Sequence, residues 1–401
     1  MDFLSFVRQH ARPLAFGALH AFYSAPGQTF CIGLFVASFG ASFGLDPAAI
    51  GALYLVGTVS SAVTLLFVGQ WIDHVRLVHF SAAVVVGLGI ACLAAATAVG
   101  PLTLLLAFYL LRLTGQGLMI HVESTATARA FDTARGRALG ITALGLPLAE
   151  MVLPPLVVAG IASIGWRWTY AAIGAVAFLV LLPLTQWLLS GIRRAPPPGG
   201  MGQGPWRGLV AGLLLLGRSR FVWAAMPSLA VLPFFGTAVF FHVTTIAGAK
   251  GWPLGLVGAS FPASAIAHIV GLFASGYIID RISARKLFVF QSVPMVLALA
   301  TLAAVDARWA LPVAFGLMGF GFGLARPVIT AVWAEIFGLA VLGTVRSAVA
   351  MYLVFASALA PFVFGALFDA GIGVDAILGG FAVAGLLCTL PPFYAEWRRF
   401  D

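Results

Sequence analysis

The amino-acid sequence predicts an all-α polytopic membrane protein, with twelve transmembrane helices in two six-helix bundles related by pseudo-twofold symmetry. Hydrophobic residues make up 61% of the 401 residues and charged residues only 9%, whereas soluble domains carry about 25% charge. Twelve apolar runs reach the ~20 residues that cross a ~30 Å hydrocarbon core. A short polar motif also recurs once in each half of the chain.

The predicted spans lie six on each side of a polar break. They cover residues near 14–39, 48–70, 77–99, 102–123, 138–162, 169–190, 221–247, 254–278, 287–305, 309–333, 341–368 and 374–394. The break begins at Arg193 and is rich in Pro and Gly, which predicts a linker. Within it, 206–220 has a short apolar core flanked by arginines and is expected to form an interfacial helix. The predicted domains are therefore 1–192, a linker 193–220, and 221–401.

The recurring motif is Gly69-x-x-x-Asp73, which returns 207 residues later as Gly276-x-x-x-Asp280. Each glycine ends a long apolar run, and each acid lies in a tight polar loop. One such motif occurs by chance, but two at matching places in the halves predict an internally duplicated membrane protein.

The arginines and lysines predict the orientation. With the N-terminus inside, seventeen of the 22 fall in inner loops and tails and three in outer loops. This bias places both termini in the cytoplasm of a multi-pass protein of the inner (plasma) membrane. The basic residues do not alternate with aromatics in one patch, so no nucleic-acid partner is expected. The expected partners are the lipid bilayer, a small-molecule substrate and protons, and we expect a monomer.

The cysteines give no sign of a metal site or a disulfide. Cys31, Cys92 and Cys388 all lie inside apolar runs, where cysteine behaves as a small hydrophobic residue. We expect no cofactor and no metal.

Two charges lie near the predicted membrane midplane. Arg112 is about ten residues into span four, and Glu150 about twelve residues into span five, which runs the other way. A charge at this depth costs at least ~2.5 kcal/mol and usually faces a cavity or a partner. Arg112 could attract an anionic substrate, while Glu150 takes up the co-transported proton and thereby releases Arg112 for binding. The alternative is a permanent structural ion pair.

His268 in span eight is a second candidate proton site, or a hydrogen-bonded packing residue.

Other polar residues could complete a substrate site. Gln116 shares the helical face of Arg112. Pro26 is expected to bend span one, with Tyr23 and Gln28 beside the bend. These residues fit a substrate-facing wall, and a helix-packing surface is the alternative.

Further charges lie towards the predicted cytoplasmic ends of spans four and ten. Glu123 is expected to act in conformational gating with Arg129 or Arg135. Arg326 is expected to form a salt-bridge gate with Glu335.

The six-plus-six pattern, the linker and the paired Gly-x-x-x-Asp loops resemble the major facilitator superfamily over essentially the whole chain. The stretches 112–117 in span four and 165–168 between spans five and six add to the resemblance. The stretch 240–252 is similar to bacterial members near the monocarboxylate and oxalate–formate transporters.

The resemblance implies two bundles around a cavity lined by spans 1, 4, 7 and 10, with alternating access by rocking. It also implies that Asp73 and Asp280, with basic residues such as Arg76 and Arg281, lock one conformation.

The chain departs from the family pattern at two places. His74 stands in the first loop where a fixed cation is usual, so the second loop, with Arg281 and Lys286, is the closer copy. In span five, one residue separates Gly145 from Pro147, which weakens the match to the drug–proton antiporter signature.

No P-loop, His-Glu-x-x-His or Gly-x-Ser-x-Gly motif is present, so the sequence predicts no enzyme and no self-contained ATP-driven pump. We predict a secondary transporter that moves a small, monocarboxylate-like organic anion, with a proton. A proton-driven exporter of drugs or amphipathic metabolites is an alternative, suggested by 33 Phe and 10 Trp. A sensor or assembly protein on a transporter scaffold is a third.

Overall fold

The computed structural model describes residues 3–131, 134–190, 205–217, 219–338 and 341–397. The chain forms two compact units, one of Met1–Ser38 and Val56–Met201, the other of Phe39–Leu55 and Gly202–Asp401. Residues 39–55, which sequence places in the first bundle, thus pack with the second unit. The Pro/Gly-rich part of the predicted linker, 193–204, lies outside the described residues.

The first unit is built from helices joined by short turns. Its elements in chain order are α1 Phe3–Gln9, α2 Ala11–Tyr23, a 3-10 turn Ala25–Gly27, α3 Thr29–Gly33, the start of α4 Val36–Phe43, most of α5 Pro47–Val68, a 3-10 turn Gly69–Asp73, α6 Leu77–Ala96, α7 Pro101–Leu111, a π-helical segment Arg112–Met119, α8 Ile120–Ala130, α9 Arg135–Ala143, α10 Gly145–Val176, a π-helical segment Ala177–Leu181, and α11 Leu182–Leu189.

The second unit contains the remainder of α4 and of α5, together with all helices from α12 onward. These are α12 Pro205–Gly217, α13 Arg220–Phe241, α14 Val243–Ala249, α15 Leu254–Ile282, α16 Ala284–Phe290, α17 Val293–Ala304, α18 Ala310–Phe337, α19 Leu342–Asp369 and α20 Val374–Trp397.

Within the described ranges, ten helical stretches are long and apolar enough to cross a membrane. The difference from the twelve predicted spans has two local causes. Span one is divided into short helices around Pro26. Spans five and six run on as one stretch, Arg135–Leu189, with non-helical backbone at Gly165 (φ 80°, ψ 160°). Positive φ is readily adopted only by glycine, so Gly165 marks the turn between the two spans.

Large apolar side chains cover the outer surface. Leu102 is 80% exposed, Leu179 76% and Trp168 71%. Soluble monomers rarely expose contiguous apolar surface on this scale, whereas lipid favours it. The prediction of an all-α membrane protein is therefore confirmed.

α12 begins after the undescribed linker residues and has 13 residues. At 1.5 Å per residue it is about 20 Å long, too short to cross a bilayer core. Gly212 lies against the backbone of Thr344 on α19, and a Cβ there would be 2.5 Å from that carbonyl oxygen. Val210, Leu213 and Leu214 are exposed. This exposed apolar surface is compatible with the predicted interfacial helix.

At the other end of α19, its last three turns pack against the start of α5. A Cβ on Gly51 would lie 2.6 Å from the Pro361 carbonyl oxygen, and one on Gly365 would lie 2.5 Å from Pro47. Asp369 accepts a hydrogen bond from the Ala48 amide at 2.8 Å. These close backbone contacts are the reason that residues 39–55 cluster with the second unit.

Candidate functional site

The site predicted from sequence centres on a break in span one. Pro26 has no N–H to offer the carbonyl of Phe22, so a regular helix cannot continue through it. The chain passes through the 3-10 turn Ala25–Gly27, and Gln28 is extended (φ −81°, ψ 149°). The side-chain amide of Gln28 donates from Nε2 to Ser24 Oγ at 3.2 Å, and this hydroxyl donates to the Ala21 carbonyl at 2.7 Å. The break is thus fixed by proline and by local side-chain hydrogen bonds.

Span four is π-helical over Arg112–Met119, beside this break. Single π-helical turns inside α-helices are frequent at functional sites. Gly115 of the π segment packs directly on Gly27, and a Cβ on Gly115 would lie 2.8 Å from the Gly27 Cα. A Cβ on Gly27 would overlap the Leu111 carbonyl oxygen and lie 2.7 Å from the Gln116 nitrogen. Spans one and four therefore touch backbone to backbone, which only glycine permits.

Arg112 reaches across this contact. Its side chain is buried, with 3% of the residue exposed, and its NH1 group donates to the Gly27 carbonyl at 3.1 Å. In a continuous helix the Cys31 amide would use that carbonyl, but here Cys31 donates to Gln28 instead, at 3.1 Å. The break therefore turns one backbone carbonyl towards the buried guanidinium.

Glu150 lies on α10, which packs parallel to α2. A Cβ on Gly17 would lie 2.6 Å from Thr142 Cγ2 at the end of α9, and about one turn further along, a Cβ on Gly145 would lie 2.9 Å from the Ala21 Cβ. Glu150 is five residues beyond Gly145, about 7.5 Å along the axis. This register puts Glu150, which is 5% exposed, at the level of the 25–27 turn, and α10 also contacts that turn.

The other predicted ligands surround the same break. Gln116 is on the π segment, and its Oε1 is buried without a hydrogen-bond partner among the described residues. Tyr23 and Gln28 flank the turn and are half-buried. The structure thus brings four predicted substrate ligands to one turn of span one: Tyr23, Gln28, Arg112 and Gln116.

The histidines occupy different environments. His20 is fully buried, donates from Nδ1 to the Phe16 carbonyl at 2.9 Å and has Nε2 3.0 Å from the Ser81 hydroxyl. His268 is half-buried on α15, where Gly323 of α18 lies against its backbone carbonyl. His242 is fully buried between α13 and α19, with Nε2 2.8 Å from the Pro361 carbonyl oxygen.

The first Gly-x-x-x-Asp loop is tied to the end of α8. Arg129 forms an ion pair with Asp73 and donates to the Ile72 carbonyl at 3.1 Å. His121 donates from Nε2 to the Gly69 carbonyl at 2.9 Å. Arg76 is exposed and precedes α6. Both ends of the motif are therefore held by one helix.

Glu123 has a partner on the next helix. Glu123 is buried and accepts a hydrogen bond from the Thr142 hydroxyl on α9. Of the two arginines considered as its partners, Arg129 pairs with Asp73, and Arg135 donates to the Ala128 carbonyl at 3.0 Å. Glu123 thus connects α8 to α9.

The second loop is held in a different way. Asp280 is exposed and forms no ion pair among the described residues, while Arg281 stacks on Tyr277 at 4.1 Å. Glu335, at the end of α18, accepts hydrogen bonds from the Ala284 amide at 2.9 Å and the Arg285 amide at 3.3 Å. The loop that matches the family pattern more closely is therefore the one without the acid–base pair.

The predicted ion pair between Arg326 and Glu335 does not form. Both residues lie on the continuous helix α18, nine residues apart, which is about 13.5 Å along the axis and half a turn around it. Arg326 is exposed, and Glu335 caps the start of α16 instead.

Ser283 in the second loop has a strained backbone. Its φ of 86° and ψ of 151° fall in a region that is essentially restricted to glycine. We expect Ser283→Gly to raise the free energy of unfolding by about 1 kcal/mol, because glycine removes this strain. The measurement is thermal unfolding of the purified protein followed by tryptophan fluorescence.

The matched control is Ser163→Gly, at an exposed helical position of α10. There glycine should lower stability, since it gives more freedom to the unfolded chain. A drop in melting temperature for Ser283→Gly as well would contradict the expected relief of strain.

Lys250 joins two connections of the second unit to the first turn of α20. Its Nζ lies 2.5 Å from Asp306 and 2.6 Å from Asp375, and Trp252 donates from its indole to the Asp306 carbonyl at 2.8 Å. Burial opposes the charged amine, but hydrogen bonds to both carboxylates outweigh it and raise the pKa of Lys250 above 10.5. The charged form therefore stabilises the fold fully below pH 10.5, and this contribution is lost as the pH rises through the folded-state pKa.

We expect Lys250→Met to lower stability by about 1 kcal/mol near neutral pH, since the carboxylates are largely exposed but lose their shared cation. Thermal unfolding at pH 7 measures it, with Lys286→Met, at the chain's other lysine, as control. Equal melting temperatures for the two variants would show that the cluster does not stabilise the fold.

Sequence reasoning missed the Gly27–Gly115 contact, the His242–Pro361 bond and the Lys250 cluster. Only the last had a usable signal, since Lys250 is one of three cations in the predicted outer loops. The two glycines carry no chemistry that distinguishes them from the chain's other 44.

Broken spans, buried charges beside the break and a lipid-compatible surface define a polytopic membrane transport protein. The sequence profile of the Major Facilitator Superfamily matches residues 18–361, and the chain belongs to that superfamily. It is therefore a secondary transporter and not an enzyme.

Solved structures show the same fold. A single-residue mutant of the nucleoside transporter NupG has a TM-score of 0.79 at 14% identity, covering 95% of this chain and 99% of that one. A bacterial homologue of the human lysosomal transporter Spinster has a TM-score of 0.71 at 16% identity in an inward-facing, occupied conformation, covering 99% of this chain and 97% of that one. No curated protein sequence matches the chain.

Proposed function

We propose that this transporter moves a small, monocarboxylate-like organic anion together with a proton. The burial of Arg112 beside the break in span one is the observation that carries the proposal. Within the described membrane spans it is the only buried arginine or lysine, and it lies where the break in span one presents the Gly27 carbonyl. A buried charge at a helix break is typical of a substrate site in transporters.

The chemistry of the guanidinium favours a carboxylate. A backbone carbonyl supplies a dipole, whereas a carboxylate supplies a full opposite charge and two oxygens that match the guanidinium fork. In an interior of low dielectric constant, that full charge gives a stronger interaction than it would in water. A small carboxylate is therefore the cargo that Arg112 favours.

Glu150 suits the role of proton carrier in this scheme. The register of α2 and α10 supports placing it at the level of the turn that Arg112 contacts. An ionised Glu150 would compete with a substrate carboxylate for Arg112, and protonation would remove that competition. Anion and proton would then bind together without a change in net charge. His268 is proposed as a second proton site.

The remaining polar groups would determine specificity and gating. Tyr23, Gln28 and Gln116 offer hydrogen bonds to the uncharged part of a substrate. For gating we propose the first loop, with Asp73, Arg76 and Glu123, and the second loop, with Asp280, Arg281, Arg326 and Glu335. The ion pair of Asp73 with Arg129 and the bonds of Glu335 to α16 support this, because each must be broken if its helix ends separate.

We also propose the subfamily, the membrane orientation and the domain bounds. The stretch 240–252 supports a place near the bacterial monocarboxylate and oxalate–formate transporters. The arginine distribution supports cytoplasmic termini in an inner membrane. The internal repeat supports bundles 1–192 and 221–401 joined by the linker 193–220.

Uptake into proteoliposomes tests the function. We expect an imposed acid-outside gradient to drive uptake of radiolabelled monocarboxylates, and a protonophore to abolish it. Oxalate and a nucleoside serve as comparison substrates, the latter because NupG is a nucleoside transporter. Gradient-independent behaviour for every small carboxylate would reject the proposal. Changed resistance of cells to lipophilic compounds would favour the exporter instead.

Glu150→Gln separates binding from coupling. We expect the variant to keep substrate exchange but to lose acceleration by a pH gradient, since a glutamine cannot ionise. Uptake at several external pH values, with and without the gradient, measures this. The reference is Asp46→Asn, which neutralises an exposed carboxylate that is outside the proposed substrate, proton and gating residues. A wild-type pH profile for Glu150→Gln would exclude it as the proton carrier.

A further inference from the structure

Span nine is broken, and the break contains a buried amide that the proposed transport scheme does not use. α16 ends at Phe290 and α17 begins at Val293, so Gln291 lies between them. Gln291 is completely buried, with 0% exposed. Neither its Oε1 nor its Nε2 has a hydrogen-bond partner among the described residues.

A buried amide without partners is strongly destabilising, and native proteins nearly always satisfy such groups. The two atoms of Gln291 have opposite requirements. Oε1 needs a donor, and Nε2 needs an acceptor. A cation could satisfy only the oxygen, and an anion only the nitrogen. Water satisfies both, and buried waters typically make about three hydrogen bonds to such groups.

The surroundings of the break are polar as well. The Ser292 hydroxyl donates to the Ser228 carbonyl at 3.2 Å and lies 3.2 Å from the Ser228 hydroxyl, and both serines are fully buried. Pro294 has no N–H to offer the carbonyl of Phe290, four residues earlier. The break therefore supplies further acceptors and donors beside Gln291.

A glycine allows α18 to approach closely at this place. Gly321 of α18 faces the break, and a Cβ there would lie 3.8 Å from the Gln291 carbonyl oxygen, 3.6 Å from Pro294 and 3.2 Å from Leu232 of α13. Three helices of the second unit, α13, α17 and α18, therefore meet beside the break that contains Gln291.

We propose that the break in span nine is an internal hydration site, in which at least one water binds the Gln291 amide and links it to neighbouring polar groups of α13 and span nine. Water inserted at a helix break replaces backbone hydrogen bonds and allows the helix to bend there. The site is independent of the transport scheme and of its substrate.

Radiolytic hydroxyl-radical labelling of the purified full-length protein tests the proposal, because radicals formed from a bound water oxidise side chains that bulk solvent cannot reach. Met295, one turn along the span from Gln291, is fully buried, and Met318 on α18 is an equally buried reference. We expect Met295 to be oxidised faster than Met318 in the wild type. In Gln291→Met, oxidation of Met295 should fall to the level of Met318.

Thermal unfolding gives a second, independent readout. Gln291→Met should lower the melting temperature by a few degrees, because it removes hydrogen bonds to the bound water. The control Gln9→Met, at an exposed position, should not change it. A dry site would give the opposite sign, since the substitution would then remove an unpaired buried amide. Equal oxidation of both methionines in the wild type, or a raised melting temperature in Gln291→Met, would overturn the proposal.

Discussion

Replacing Arg112 by alanine is expected to reduce carboxylate transport by about 100-fold, because loss of one partner of a buried charge pair typically costs about 2–5 kcal/mol. Arg112→Lys should retain part of the activity, since lysine keeps the charge but loses the planar fork that can hold both carboxylate oxygens. Uptake in proteoliposomes, and stabilisation of the purified variants by added carboxylate, measure the two effects.

The control for Arg112 is Arg8→Ala, since Arg8 is exposed on α1. It should transport like the wild type. A folded Arg112→Ala protein with normal uptake would show that the buried guanidinium only holds spans one and four together. Ligand-induced stabilisation separates this structural role from substrate binding, because a structural arginine would change the melting temperature without changing the shift that the carboxylate produces.

Gly27→Ala is expected to have the largest effect on stability. The added methyl group would overlap the Leu111 carbonyl oxygen and lie 2.7 Å from the Gln116 nitrogen and 2.8 Å from the Gly115 Cα. All three are backbone atoms, so no side chain can turn away and the two spans must separate. We expect a loss of about 3 kcal/mol or more, at the upper end of overpacking effects.

The matched control is Gly140→Ala in α9, where nothing lies within 4 Å of the added Cβ. Alanine there should be neutral or slightly stabilising, because it favours the helix over the unfolded chain. Melting temperature and the fraction of monodisperse protein after purification measure both variants. If Gly27→Ala matched Gly140→Ala in both, the close contact of the two spans would be refuted.

The two loops show where sequence comparison succeeds and where it stops. The spacing of Gly69 and Asp73 recurs at Gly276 and Asp280. The first motif forms a 3-10 turn, whereas the second lies in the last turns of α15 and not in the predicted loop. Their partners could not be predicted, because these come from helices about fifty residues away or more. The residue 207 positions after Arg129 is Ile336, so the second loop has no equivalent cation and is held by Glu335 instead.

The amino-acid sequence by itself determined the helical membrane class and the superfamily. In a bilayer every backbone polar group must be satisfied within the protein, so long apolar runs can form little besides helices. Sequence also marked Pro26 as the bend of span one, and Arg112 and Glu150 as charges within the spans, where both are buried.

Only the tertiary structure decided which groups these residues meet. That the Gly27 carbonyl turns to Arg112 depends on the contact of two glycines 88 positions apart in the chain. The π-helical turn at Arg112–Met119 contains no proline that would have signalled it. The buried Gln291 could be recognised only once its neighbours were known. Contacts of this kind follow from packing between distant segments, which hydropathy and spacing do not encode.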